Sequence, residues 1–174
     1  AGVLATGETW VRVPETIRVE VTGGMPKGVS AKDVMLALCA RLGMDGADYQ
    51  VIEYTGDTIS TLPMSERMTL CNMAAELGAQ TGIIAGDKTT AEFIRNAGAE
   101  PSDFGRWLTD PQAMVRSTHQ IDIAALGPQV AAPDSPANSA PVAEVEGVKI
   151  DQAYIGACTG AKLIDLQMAA EILE

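Results

Sequence analysis

A helical pattern that passes directly into a short apolar strand, LPMSERMTLCNMAAELGAQTGIIAGD from Leu62 to Asp87, restricts the fold more than any other stretch. Pro63 supplies a pre-set φ at the start, Glu66 suits the positive N-terminal end, and Gly78 suits a left-handed exit. TGIIAG is then an apolar run bounded by glycines, the pattern of a buried strand. Asn72 and Glu76 stand four apart, so a continuous helix projects both from one face. Their neighbours Met68, Leu70, Cys71, Met73 and Ala75 leave few directions towards water, so both polar groups are expected to be buried and to need partners.

The flanking chain repeats this alternation of strand and helix. In ETIRVEVTG, Glu15 to Gly23, Ile17, Val19 and Val21 alternate with Arg18, Glu20 and Thr22, which predicts a half-buried strand. Ser30 and Asp33 have capping-box spacing and open a helix with Val34, Leu38 and Leu42 at helical intervals, ended by Gly43. YQVIEY at 49–54 predicts a second strand, and 56–61 a loop. A second box at Thr89 and Glu92 predicts a helix closed by Gly98; 103–109 suits a short helix, and 114–123 a strand. Residues 127–147 hold four prolines among Ala, Ser, Asn and Asp, and are expected to form a linker or surface-hugging arm. Beyond it, 148–155 is expected as a strand, 156–159 as a tight turn, and a helix should carry Leu163, Leu166, Ala170 and Leu173 on one face. The expected organisation is a connector at 1–14, an α/β domain at 15–126, the linker, and at 148–174 the first strand-turn-helix of a second α/β domain. A start at Ala1 and a stop at Glu174 within a helical pattern suggest a piece of a longer protein.

Composition narrows the function. Net charge is −11 with few aromatics, which argues against nucleic-acid binding, since phosphate contacts require a basic face. No apolar run is long enough for a membrane span. Cys39, Cys71 and Cys158 are far apart with no CxxC, so neither a disulfide framework nor a complete metal site is encoded. The odd count and the lack of a signal-peptide pattern point to a reducing, cytoplasmic setting.

Cys158 falls where the last strand should pass into its helix, a position at which α/β folds present ligand groups and a helix N-terminus favours thiolate. The plainer reading makes it a small apolar filler. Cys39 and Cys71 share helical faces with Met and Leu and are assigned to the core, and the lone His119 has no neighbouring motif.

The Leu62–Asp87 stretch, together with AGVLATGETWVRVPETIRVEVTGGMPKGVSAKDV, PDSPANSAPVAEVEGVKID and AYIGACTGAKLIDLQMAAEIL, resembles the aconitase superfamily. The likeness is greatest to the large-subunit branch of isopropylmalate dehydratases and homoaconitases, and it covers that family's second domain and the opening of its third. The resemblance implies a three-layer α/β/α domain with a mostly parallel sheet. It implies that Cys158 is the first of three cysteine ligands to a [4Fe–4S] cluster, the other two lying on a CxxC outside this chain. It places Asn72 and Glu76 in the cluster and substrate site. The implied reaction is reversible dehydration of a 2-hydroxy polycarboxylate, with a serine base on a swivelling domain carried by a separate small subunit. On that basis this stretch alone is expected to be inactive and to hold no cluster. The turn departs from the family pattern: Ala157 and Gly160 stand where Ser and Asn are usual, and Lys162 where Arg is. A non-catalytic binding or scaffold module that keeps the fold is the alternative.

Overall fold

The computed structural model describes residues 2–173. After a short helix α1 (Gly2–Thr6) the chain enters β1 (Thr16–Thr22), α2 (Ala31–Leu42), β2 (Val51–Thr55), α3 (Asp57–Thr61), α4 (Met64–Met73), β3 (Thr81–Ile83), α5 (Lys88–Asn96) and β4 (Ser117–Asp122). The four strands form one parallel sheet in the order β3-β2-β1-β4. Parallel neighbours require crossovers, and the intervening helices supply them.

The alternation in β1 sorts as its pattern dictates. Ile17, Val19 and Val21 are buried on one face, where they join Ile52 and Tyr54 of β2, Ile123, and the inner faces of α2, α3 and α4 in a single core. Arg18 and Glu53 pair at 2.9 Å on the polar face. Thr109 donates to Glu53 there, bringing the stretch around the 3-10 turn Phe104–Trp107 over that side. The phenol of Tyr54, buried in the core, donates to the Leu70 carbonyl at 3.1 Å and so ties β2 to α4. Burial also pushes its ionisation well above the usual phenol range.

Helix α2 begins as its spacing indicates. The Asp33 carboxylate accepts from the Ser30 N–H at 2.7 Å, and its other oxygen accepts from the Gln129 N–H at 2.7 Å. The second bond recruits the proline-rich arm, which forms an antiparallel pair, β5 (Gln129–Ala131) and β6 (Ser139–Pro141), packed on α2. The pattern at 127–147 had not indicated paired strands.

Several expectations are corrected. Residues 56–61 are not a loop but contain α3, whose Thr58 hydroxyl donates to the Gly23 carbonyl at the end of β1. The cap of α5 is not Thr89 but Asp87, which accepts from the Thr90 N–H at 3.1 Å. The strand expected at 114–123 begins only at Ser117, which pairs with Ile17 of β1, although the Arg116 N–H still donates to the Thr16 carbonyl at 2.8 Å. Residues 148–155 form no strand: among the described residues they have no sheet to join, and an unpaired strand lacks the hydrogen bonds that define it. The final helix, α6 (Leu163–Leu173), is present, with Leu163, Leu166 and Leu173 exposed.

Helix α4 is fixed by close approach and by a buried cation. A Cβ on Gly82 would lie 2.8 Å from the Cys71 Cα and 3.0 Å from the Tyr54 ring, so β3 and α4 meet at backbone distance. Arg67 is 3 % exposed; its guanidinium donates to the Leu62 and Ser60 carbonyls and pairs with Asp87 through two bonds of 2.8 Å. Those bonds hold the Asp87 carboxyl below its ordinary pKa.

Two outcomes are expected. Gly82→Ala should destabilise the chain by about 1–3 kcal/mol in urea denaturation, since helix and strand must separate. A carboxyl whose folded pKa is lowered contributes stability above its unfolded pKa and loses it as pH falls through the folded value. Asp87→Asn should therefore lower stability at pH 7 and flatten the acid limb of a pH–stability curve below about pH 4.

Candidate functional site

Helix α4 divides its side chains sharply. Arg67, Thr69, Leu70 and Met73 are buried, followed by Ala74 and Leu77 in a 3-10 turn, Ala74–Leu77, that ends on Gly78 at φ +77°. Met68, Asn72 and Ala75 lie on the outer side and are exposed. The expected burial of Asn72 and Glu76 is thus corrected: Asn72 is exposed and Glu76 half-buried. Enough apolar residues take the inner face that Met68 and Ala75 are left to the outer one. After Met73 the winding tightens from about 3.6 to about 3.0 residues per turn, so Glu76 no longer stands in line with Asn72.

The outer side of α4 receives the turn at 156–160. Ala157 holds φ +90°, a conformation usually left to glycine, and the Gly160 N–H closes back on the Ala157 carbonyl at 3.2 Å. The closed turn presents Cys158 at its tip, exposed, with no strand leading into it. The Cys158 Sγ lies 4.0 Å from Asn72 Oδ1, and the Thr159 hydroxyl donates to the same oxygen at 2.8 Å. Residues 86 positions apart in sequence thereby meet. Glu76 makes no hydrogen bond to either among the described residues; its charge acts instead on Cys39, adding to the burial that pushes that thiol up to about 11.

Lys162 also reaches α4, donating to Thr69 Oγ1 at 3.1 Å and pairing with Asp165 at 2.8 Å. A cavity of about 280 Å³ opens beside the turn, lined by Ser30, Lys32, Glu66, Thr69, Thr159 and Asp165 among others. Lys162, Thr159 and Thr69 complete the junction but were not singled out from sequence as site residues. Lys162 was visible only as a departure from the family's Arg, and Thr69 gave no signal.

Iron–sulfur clusters are held by cysteine thiolates. Cys158, exposed on a tight turn with an amide oxygen beside it, could serve as one such donor. Among the described residues no three His, Cys, Asp or Glu side chains converge as a metal site.

The cysteines should separate chemically. Burial raises Cys39 and also lifts Cys71, which is half-buried. Alkylation at mildly alkaline pH, read by peptide mass spectrometry, should modify Cys158 first and Cys39 only once the chain is unfolded.

Comparison with known proteins identifies the family of the chain. The chain matches the model of the aconitase family (aconitate hydratase) over residues 1–174. It is 49 % identical to 3-isopropylmalate dehydratase large subunit 1 of Methanopyrus kandleri, over 100 % of this chain and 41 % of that protein. It is 44 % identical to the probable methanogen homoaconitase large subunit of Methanothermobacter thermautotrophicus, over 99 % of this chain and 40 % of the relative. Against 3-isopropylmalate dehydratase large subunit 2 of Archaeoglobus fulgidus the identity is 42 %, over 100 % of this chain and 42 % of the relative. The chain therefore spans about two fifths of the length of these curated relatives. With a parallel α/β sheet, a thiol-bearing turn seated on its central helix and a family match along its whole length, the chain belongs to the aconitase family.

Proposed function

We propose that this chain is part of the large subunit of a hydro-lyase that reversibly dehydrates a 2-hydroxy di- or tricarboxylic acid, in the manner of a 3-isopropylmalate dehydratase. The observation that carries the reading is the meeting of Cys158 with Asn72, in a chain whose relatives are named as dehydratase and homoaconitase large subunits. Cys158 would be one ligand of a [4Fe–4S] cluster, with the other ligands outside this chain. When bound, such a cluster supplies a Lewis-acidic iron that polarises the substrate hydroxyl and a carboxylate.

The chain's own residues have narrower tasks. Asn72 accepts from Thr159 and fixes the turn that presents the thiol. Glu76, half-buried beyond the end of α4, would be the carboxylate that hydrogen-bonds the hydroxyl as it leaves and gives or takes its proton. The base for the adjacent carbon would come from a separate small subunit, in keeping with relatives named as large subunits. This stretch alone would then be inactive and hold no cluster. The three free cysteines suit a reducing cytoplasm, and no helix among the described residues is long and apolar enough to cross a membrane.

The test uses the intact large subunit with its small partner, assayed against isopropylmalate, homocitrate and citrate. Cys158→Ser should lose iron and visible absorbance together with turnover. Glu76→Gln should keep its iron while kcat falls about 10²–10⁴-fold. Iron loss in Glu76→Gln would make that residue structural. An intact protein that turns over none of these acids and holds no iron would favour the scaffold reading.

A further inference from the structure

An ammonium group has three protons to donate, and in Lys162 each has an acceptor on a different part of the chain. One is Oγ1 of Thr69 on α4 at 3.1 Å, one the carbonyl of Thr159 in the cysteine turn at 2.5 Å, and one the carboxylate of Asp165 on α6 at 2.8 Å. The side chain is only 24 % exposed, so these contacts replace most of its water. The Thr69 hydroxyl is already oriented for this role. Its proton goes to the Ser65 carbonyl at 3.1 Å, which leaves its lone pairs facing the lysine. The same Asp165 oxygen accepts the Lys162 N–H at 2.9 Å, so the entry to α6 is tied to the same carboxylate.

Thr69 and Asn72 stand three apart on α4, and side chains at that spacing are neighbours on a helix surface. The turn is therefore held twice on one strip of α4. The Thr159 hydroxyl is seated on Asn72, and the Thr159 carbonyl is linked through Lys162 to Thr69. Cys158 precedes the residue held at both points. Without the ammonium, the turn would keep one side-chain anchor and the Thr159 carbonyl would lose its donor.

We infer that Lys162 is a positioning residue for Cys158: it clamps the thiol-bearing turn to Thr69 of α4 and thereby fixes where the sulfur stands. Its bearing on catalysis rests on the proposed role of Cys158 as a cluster ligand, whereas the clamp itself can be tested in this chain without any cluster.

Hydrogen exchange of residues 158–161 reads the clamp directly. Lys162→Met, which keeps length but removes every donor, should raise exchange there at least tenfold and leave residues 17–21 unchanged. Lys162→Arg should stay within twofold of the parent, because it restores a cation with several donors. Thr69→Val removes the same contact from the other side, and it decides the matter if the methionine variant does not fold. The double variant should exchange no faster than Lys162→Met alone, since both changes break one link. Unchanged exchange in Lys162→Met, or additive effects in the double variant, would overturn the clamp.

In the intact large subunit, iron release to a chelator should be several-fold faster in Lys162→Met than in the parent or in Lys162→Arg. Equal release would overturn the positioning role even if the exchange results held. If the parent protein bound no iron at all, the cluster reading of Cys158 would fail, and the exchange experiment would still decide the clamp.

Discussion

The placement of every candidate site residue depends on which face of α4 turns inward, and the buried guanidinium of Arg67 helps to fix that face. A cation removed from water needs partners for its charge and its donors. Here two carbonyls of the preceding segment and the Asp87 carboxylate take four of its five N–H donors. Rotating α4 about its axis would break these bonds and expose Leu70 and Met73 together. Gly82 adds a limit on distance, because the helix backbone rests on β3 where no side chain could fit. With rotation and distance both set, Thr69 and Asn72 meet the turn and Met68 is left towards solvent.

The consequence is a site on the outer side of the helix layer. In open α/β sheets ligand groups usually gather at the carboxyl ends of the strands. In this chain that edge is taken by structural contacts: Arg67 with Asp87, and Thr58 with the end of β1. Cys158 instead reaches the sheet domain by way of α4, on a turn that no strand supports within the described residues. The expectation that Cys158 closes a strand of its own at such an edge is thus not met.

Much of the fold was legible because its signals are local. Alternation gave β1, the Ser30–Asp33 spacing gave the start of α2, and Gly78 gave the exit after α4. Errors arose where a neighbour decides the outcome. Residues 148–155 have strand-like composition but no partner, and the ladder of β4 starts at Ser117 opposite Ile17. The seat of the proline-rich arm on α2 uses a bond from Gln129 to Asp33, 96 residues away, which no local pattern encodes. The burial expected of Asn72 failed for a related reason. A helix rich in apolar residues can leave some of them, here Met68 and Ala75, on its outer face, and Asn72 then stays exposed among them. Thr69 shows the limit most plainly. An internal threonine bonding back to a carbonyl is ordinary in a helix, and only the arrival of Lys162 from 93 residues away gives its lone pair a task.

The departures in the turn become intelligible through the same contacts. Ala157 and Gly160 remove two side chains that could have anchored the turn from within, and a backbone at φ +90° is left to a residue that does not favour it. Such a conformation persists only where its surroundings over-determine it. In this chain those surroundings are Thr159 on Asn72 and Lys162 on Thr69, so the holding has moved from the turn's own side chains to the face of a neighbouring helix. A thiol held in that way takes its position from the packing of α4 against the sheet. The buried guanidinium near the start of the helix and the exposed sulfur beyond its middle are linked, on this geometry, through α4.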